Sequence, residues 1–137
     1  MITPNIHFNG NCYEAIQVYK DVFDLDVKIL EKNKDANPSD YIVDEKHLNH
    51  VYHAEVFLAS GRIIMSDVLD DEHTPGHTVS LVVTFDSAPE VKKAYGVLEK
   101  GATIIHELQT TTYSSCFVSL IDRFGIRWEL MTEQTEK

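Results

Sequence analysis

The residues best suited to chemistry in this chain lie in two short runs, each holding ionisable side chains at alternate positions. In Val51-Tyr-His-Ala-Glu-Val-Phe-Leu58, His53 and Glu55 fall on one side of an extended backbone, and Tyr52, Ala54, Val56 and Leu58 fall on the other. In Ile126-Arg-Trp-Glu-Leu-Met131, Arg127 and Glu129 alternate in the same way with Ile126, Trp128 and Leu130. An imidazole, two carboxylates and a guanidinium on the polar sides can fix a polar ligand by hydrogen bonds and charge. Alternatively, Arg127 and Glu129 pair with charges on neighbouring strands and a hydrogen bond satisfies His53.

Other reactive types have weaker settings. His47, His50 and His53 form an H-x-x-H-x-x-H series, but a spacing of three aligns side chains only on a helix, and no helical pattern covers them. His7 alternates with Asn5 and Asn9, as a surface or interface histidine does, and His73 and His77 accompany Asp70, Asp71 and Glu72 in a solvated acidic stretch. Cys12 and Cys116 form no CxxC pair, have no adjacent histidine and read as reduced packing residues. GxSxG, P-loop and GxGxxG patterns are absent, so hydrolase, nucleotide and dinucleotide chemistry have no local support.

The elements that position these groups occur twice. Residues 2–8 read as a strand, and Asn11-x-x-Glu14 has the spacing of a helix start. Cys12, Ala15, Ile16, Tyr19, Val22 and Phe23 then supply one apolar stripe. A strand at 27–31, a long polar loop at 32–50, and strands at 51–58 and 62–67 joined by Ser60-Gly61 complete a β-α-β-β-β order. An acidic connector with Pro75-Gly76 precedes a second copy. That copy has a strand at 79–85, a Ser87-to-Glu90 capping box and a stripe of Val91, Ala94, Tyr95 and Leu98. Gly101 then sits at a left-handed end, and strands follow at 103–108, 113–121 and 126–131. The predicted modules are 1–72 and 77–137 of one α+β domain.

The charge balance narrows the partners. Twelve Lys and Arg against twenty-two Asp and Glu leave a net charge of −10, which repels phosphate backbones and anionic lipid, so nucleic acid is not an expected partner. The longest apolar stretches fall far short of the roughly 20 residues that span a bilayer. The first residues lack the basic and then apolar run of a secretory signal, and the expected location is the cytoplasm.

Four separated segments carry a family resemblance. They are Thr3-Pro-Asn-Ile-His-Phe-Asn-Gly-Asn-Cys-Tyr-Glu-Ala-Ile-Gln-Val-Tyr19, Tyr52-His-Ala-Glu55, Ile64-Met-Ser-Asp67 and Asp122-Arg-Phe-Gly-Ile-Arg-Trp-Glu129. Together they resemble the PhnB-like subgroup of the vicinal oxygen chelate superfamily, which includes glyoxalase I, bleomycin- and fosfomycin-resistance proteins and extradiol dioxygenases. The resemblance implies an α+β fold of paired βαβββ modules shared across a homodimer, with curved, cup-like sheets whose concave sides bind ligand. In metal-dependent members, it implies one ligand from the first strand and one from the last strand of each module around a divalent cation. Here the first-strand position falls on Pro4 and its second copy on Val79 or Ser80, while matching the Gly61 and Gly125 corners sets Met65 opposite Glu129. Glu129 is the only retained family-type ligand, and a thioether suits hard cations poorly. The methyltransferase name given to some relatives lacks a glycine-rich strand-to-helix turn for S-adenosylmethionine in this sequence.

The resulting expectation is a homodimeric protein that binds a small organic molecule through His53, Glu55, Phe57, Tyr113, Phe117, Arg127 and Glu129, with no cofactor. A metal-dependent lyase, isomerase or dioxygenase that uses Glu129 with histidines recruited from other positions is the alternative. An interaction subunit without pocket chemistry is a third reading.

Overall fold

The apolar stripe of the first helical pattern is buried along α1 (Cys12–Phe23), where Cys12, Ala15, Ile16, Tyr19, Val22 and Phe23 are all covered. The computed structural model describes residues 1–37, 45–68 and 73–133, and the chain divides into two units, Met1–Thr74 and Pro75–Lys137. In the first unit, β1 (Asn5–Phe8), α1, β2 (Asp26–Lys32), β3 (Val51–Leu58) and β4 (Gly61–Asp67) form a four-stranded sheet in the order β1-β4-β3-β2. The β1–β4 pair is parallel and the others are antiparallel.

The second unit repeats this plan with β5 (Leu81–Phe85), α2 (Ala88–Leu98), β6 (Thr103–Gln109), β7 (Phe117–Ile121) and β8 (Arg127–Thr132), ordered β5-β8-β7-β6. The chain is therefore α+β and consists of two tandem βαβββ modules. Strand alternation decides which side chains meet each helix. Ala54, Val56, Leu58, Ile63 and Met65 of the first sheet, and Val118, Leu120, Trp128 and Leu130 of the second, are buried on the helix sides.

The two helices start differently. Asn11 makes no side-chain cap, so the Asn11–Glu14 expectation is corrected. Instead, Asp67 at the end of β4 accepts from the Cys12 backbone N–H at 3.0 Å and from that of Val51 at 2.8 Å. An anion at a helix N-terminus is favoured by the backbone dipoles, and β4 delivers this one because it runs parallel to the strand that feeds α1. In the second unit Ser87 caps α2 itself, accepting from the Glu90 N–H at 3.4 Å and donating to Glu90 Oε1 at 3.0 Å.

Two other local expectations change. The strand expected from Tyr113 begins only at Phe117, because Ser114 and Thr132 hydroxyls bind backbone groups of residues 114–116 and hold them in a loop. His47 and His50 do face each other, with ring centroids 4.6 Å apart. The short 3-10 turn Glu45–His47 and the His50 N–H to His47 C=O bond of 3.1 Å bring position i over i+3 without an α-helix. Asp70, Asp71 and Glu72 of the acidic connector, and Pro38 and Asp40 of the long loop, lie outside the described residues.

Candidate functional site

In the first unit the site is built on the sheet face away from α1. Turning at residues 59 and 60 pairs Leu58 with Gly61, and this register sets Phe57 opposite Arg62 and Glu55 opposite Ile64. His53, two residues before Glu55, points to the same side and donates from Nε2 to Glu55 Oε2 at 2.9 Å. Arg62 donates from Nε to Glu55 Oε1 at 2.9 Å and also binds that oxygen through Nη2. The remaining guanidinium nitrogen, Nη1, lies 3.4 Å from Thr3 Oγ1. Phe57 is half-buried on the same face.

The Glu55 carboxylate is thus shared between an imidazole and a guanidinium. The His53 hydrogen bond, followed by those from Arg62, holds its carboxyl below the usual range. A depressed carboxyl stabilises the fold above its unfolded value, and that contribution disappears as pH falls through the lower folded value. Glu55→Gln is therefore expected to lower the melting temperature at neutral pH. Its deficit against the wild type should close as pH drops below about 4.3, the ordinary glutamate value. Differential scanning fluorimetry of the two proteins over that range measures the gap; a gap that is constant with pH contradicts the assignment.

In the second unit the face away from α2 carries Phe117, Ser119 and Ile121 on β7 opposite Met131, Glu129 and Arg127 on β8. Ser80, just before β5, donates its hydroxyl to Glu129 Oε2. Arg127 donates from Nη1 to the His77 carbonyl at 3.0 Å, while its Nε is buried without a partner among the described residues. Ser119 is fully buried, and its hydroxyl also lacks a partner among them. Phe117 makes an edge-on contact with Tyr113 at 5.9 Å and has the His106 ring at 6.5 Å. Tyr113 is 49% exposed, so this aromatic group is open to an incoming ring.

Sequence reading had singled out His53, Glu55, Phe57, Tyr113, Phe117, Arg127 and Glu129. The structure puts the first three on one sheet face of the first unit and Phe117, Arg127 and Glu129 on the corresponding face of the second, while Tyr113 lies in the loop before β7, edge-on to Phe117. It adds Arg62, Ser80 and Ser119, all identifiable once strand register is known. Neither cysteine joins them. Burial, aided by the Asp67 carboxylate, pushes the Cys12 thiol far up, and a protonated buried thiol is not a nucleophile. His7 is exposed, 3.5 Å from Ser66 Oγ.

A model of the 3-demethylubiquinone-9 3-methyltransferase family matches residues 1–131, nearly the whole chain. The chain belongs to this PhnB-like family. Protein YjdN of Escherichia coli K12 is 23% identical, with 93% of this chain and 91% of YjdN covered. Among solved structures, PA1353 of Pseudomonas aeruginosa matches with a TM-score of 0.83 at 24% identity, over 98% of both chains. A Bacillus cereus protein described as a putative 3-demethylubiquinone-9 3-methyltransferase, PhnB, matches at 0.79 and 24%, over 96% of this chain and 98% of its own. A more distant neighbour, the fosfomycin resistance protein FosX of Listeria monocytogenes, was solved with Mn(II) and sulfate; it is 10% identical, with a TM-score of 0.62, over 98% of this chain and 93% of FosX. These likenesses are of fold.

The divalent metal implied by the resemblance to the vicinal oxygen chelate superfamily does not fit the donor set here. Glu129 pairs in register with Ser119 and Val82, while the matching place in the first sheet pairs with Glu55 and Asn5 and is Ile64. This corrects the assignment of Met65, which is fully buried on the helix side. The five-residue connection 122–126 is longer than the two-residue turn 59–60, so matching the two glycines slips the register by one residue. A slip of one residue moves a side chain to the other face. Ile64 offers no donor atom, Ser80 already serves Glu129, and no group of three or more His, Cys, Asp or Glu among the described residues is arranged to hold a metal.

Proposed function

We propose that this PhnB-like protein binds small organic molecules on its helix-free sheet faces, through His53, Glu55 and Phe57 in the first unit and, separately, through Tyr113, Phe117, Arg127 and Glu129 in the second. One observation carries the reading. Ser119 Oγ, opposite Glu129 across the sheet, and Arg127 Nε, two residues before it on β8, are buried with no partner among the described residues. Each such group costs about 1–3 kcal/mol, a cost that a ligand group can relieve.

The chemistry of the face defines the ligand. A donor such as a hydroxyl or amine suits Glu129, an acceptor suits Arg127 Nε and Ser119, and a flat apolar ring suits Tyr113 and Phe117. The protein acts in the cytoplasm as a homodimer. Each four-stranded sheet ends in two edge strands that pairing between chains protects. Light scattering after size-exclusion chromatography is expected to give twice the 15.6 kDa protomer.

A thermal-shift screen against hydroxylated and amine-bearing aromatic metabolites tests the site. Ser119→Ala removes an unsatisfied hydroxyl without leaving another, so the unliganded protein should melt at the same temperature or up to roughly 4 °C higher, a gain of about 1 kcal/mol. The same variant should lose most of the ligand-induced shift. If no compound shifts the wild type, or if Ser119→Ala melts well below it, the reading fails.

A further inference from the structure

We propose that His53 is a general base. Glu55, clamped by Arg62, holds its ring as the Nε2–H tautomer, so that Nδ1 accepts the proton of a hydroxyl on a small molecule at the helix-free face of the first sheet. This assignment rests on reading that face as the ligand side, and it adds a reaction to binding.

The tautomer follows from partner chemistry. An ionised carboxylate only accepts, so the nitrogen 2.9 Å from Glu55 Oε2 must carry the hydrogen. A neutral imidazole has one N–H, which leaves Nδ1 with its lone pair. The side chain is 36% exposed and therefore reachable. Arg62 occupies the other carboxylate oxygen through two nitrogens, which fixes the plane of the carboxylate and keeps it anionic.

In the proposed step the ligand O–H bond breaks, its electron pair stays on oxygen, and an Nδ1–H bond forms. The resulting imidazolium is held by the Glu55 carboxylate, which itself stays unprotonated. Phe57 and Ile64 on this face suit a ligand with an apolar body behind its hydroxyl. His53 is thus the catalytic residue, and Glu55 and Arg62 are positioning residues.

The test needs no ligand. Diethyl pyrocarbonate reacts with an unprotonated imidazole nitrogen: Nδ1 attacks a carbonyl carbon, and ethanol and carbon dioxide leave. Peptide mass spectrometry gives the rate for each histidine, and nitrogen-15 NMR gives the tautomer. The wild type should show His53 as Nε2–H, reacting several-fold faster than the exposed His77 and His106. Glu55→Gln should mix the tautomers and slow His53 roughly tenfold, and Arg62→Met should produce a smaller loss in the same direction. Spectral dispersion checks the folding of both variants, and either one suffices. An Nδ1–H tautomer in the wild type, or a His53 rate equal to that of His77 in all proteins, overturns the assignment. A failed metabolite screen removes the second-unit reading instead and leaves these rates untouched.

Discussion

Asp122→Ala is expected to cost roughly 3–5 kcal/mol and to lower the melting temperature by roughly 10–20 °C, the largest single effect foreseen here. Asp122 is 4% exposed and follows β7 directly. Its Oδ1 accepts from the Phe124 and Ile126 N–H groups, both at 2.9 Å, and its Oδ2 accepts from the Trp128 indole N–H at 2.8 Å. Truncation leaves three donors without this acceptor, one of them on the largest buried side chain of the chain. It also loosens the turn that sets the β7–β8 register, and with it the pairing of Ser119 with Glu129. Asp122→Asn should fall between the two proteins, because its amide oxygen still accepts from the turn while its amino group cannot accept from the indole. Trp128 is the only tryptophan, so its fluorescence during urea unfolding reports this unit directly. A midpoint within experimental error of the wild type would show that the turn holds without Asp122.

Asp67→Ala is expected to cost about 2–4 kcal/mol, measured by circular dichroism during thermal unfolding. One carboxylate closes two separate ends, the first N–H of α1 and the first N–H of β3, so one truncation opens both. Asn11 does not replace it, since its side chain makes no cap. Thr132 holds the corresponding place in the second unit, where its Oγ1 accepts from the Ser115 N–H at 3.1 Å. There Ser87 caps the helix independently, so Thr132→Ala should be milder than Asp67→Ala. Equal losses in the two variants would refute this difference between the modules.

Most of the architecture was legible because its signals are local. The stripe from Cys12 to Phe23, the Ser87 cap and the alternation in 51–58 and 126–131 depend only on the periods of helix and strand, and the repeat of β-α-β-β-β follows from their order. The same alternation separated His53, Glu55, Arg127 and Glu129 from Trp128 and Leu130. Errors arose where a distant side chain competed with a local one. Asp67 displaced the Asn11 cap across 55 residues, and Thr132 hydroxyl bonds delayed the start of β7 to four residues later than strand propensity suggested.

The sequence by itself determined the two modules and the side of each strand on which its polar residues lie, since those depend on backbone periodicity alone. Only tertiary structure decided which of those residues meet. Register across a hairpin depends on turn length: the 59–60 and 122–126 connections differ in length, so matching their glycines is off by one residue, and Ile64, not Met65, is the counterpart of Glu129. The same register put Arg62 on Glu55 and left the Ser119 hydroxyl opposite Glu129 without a partner among the described residues. Hydrogen-bond reach is a matter of a few tenths of an ångström, which no spacing along the chain encodes.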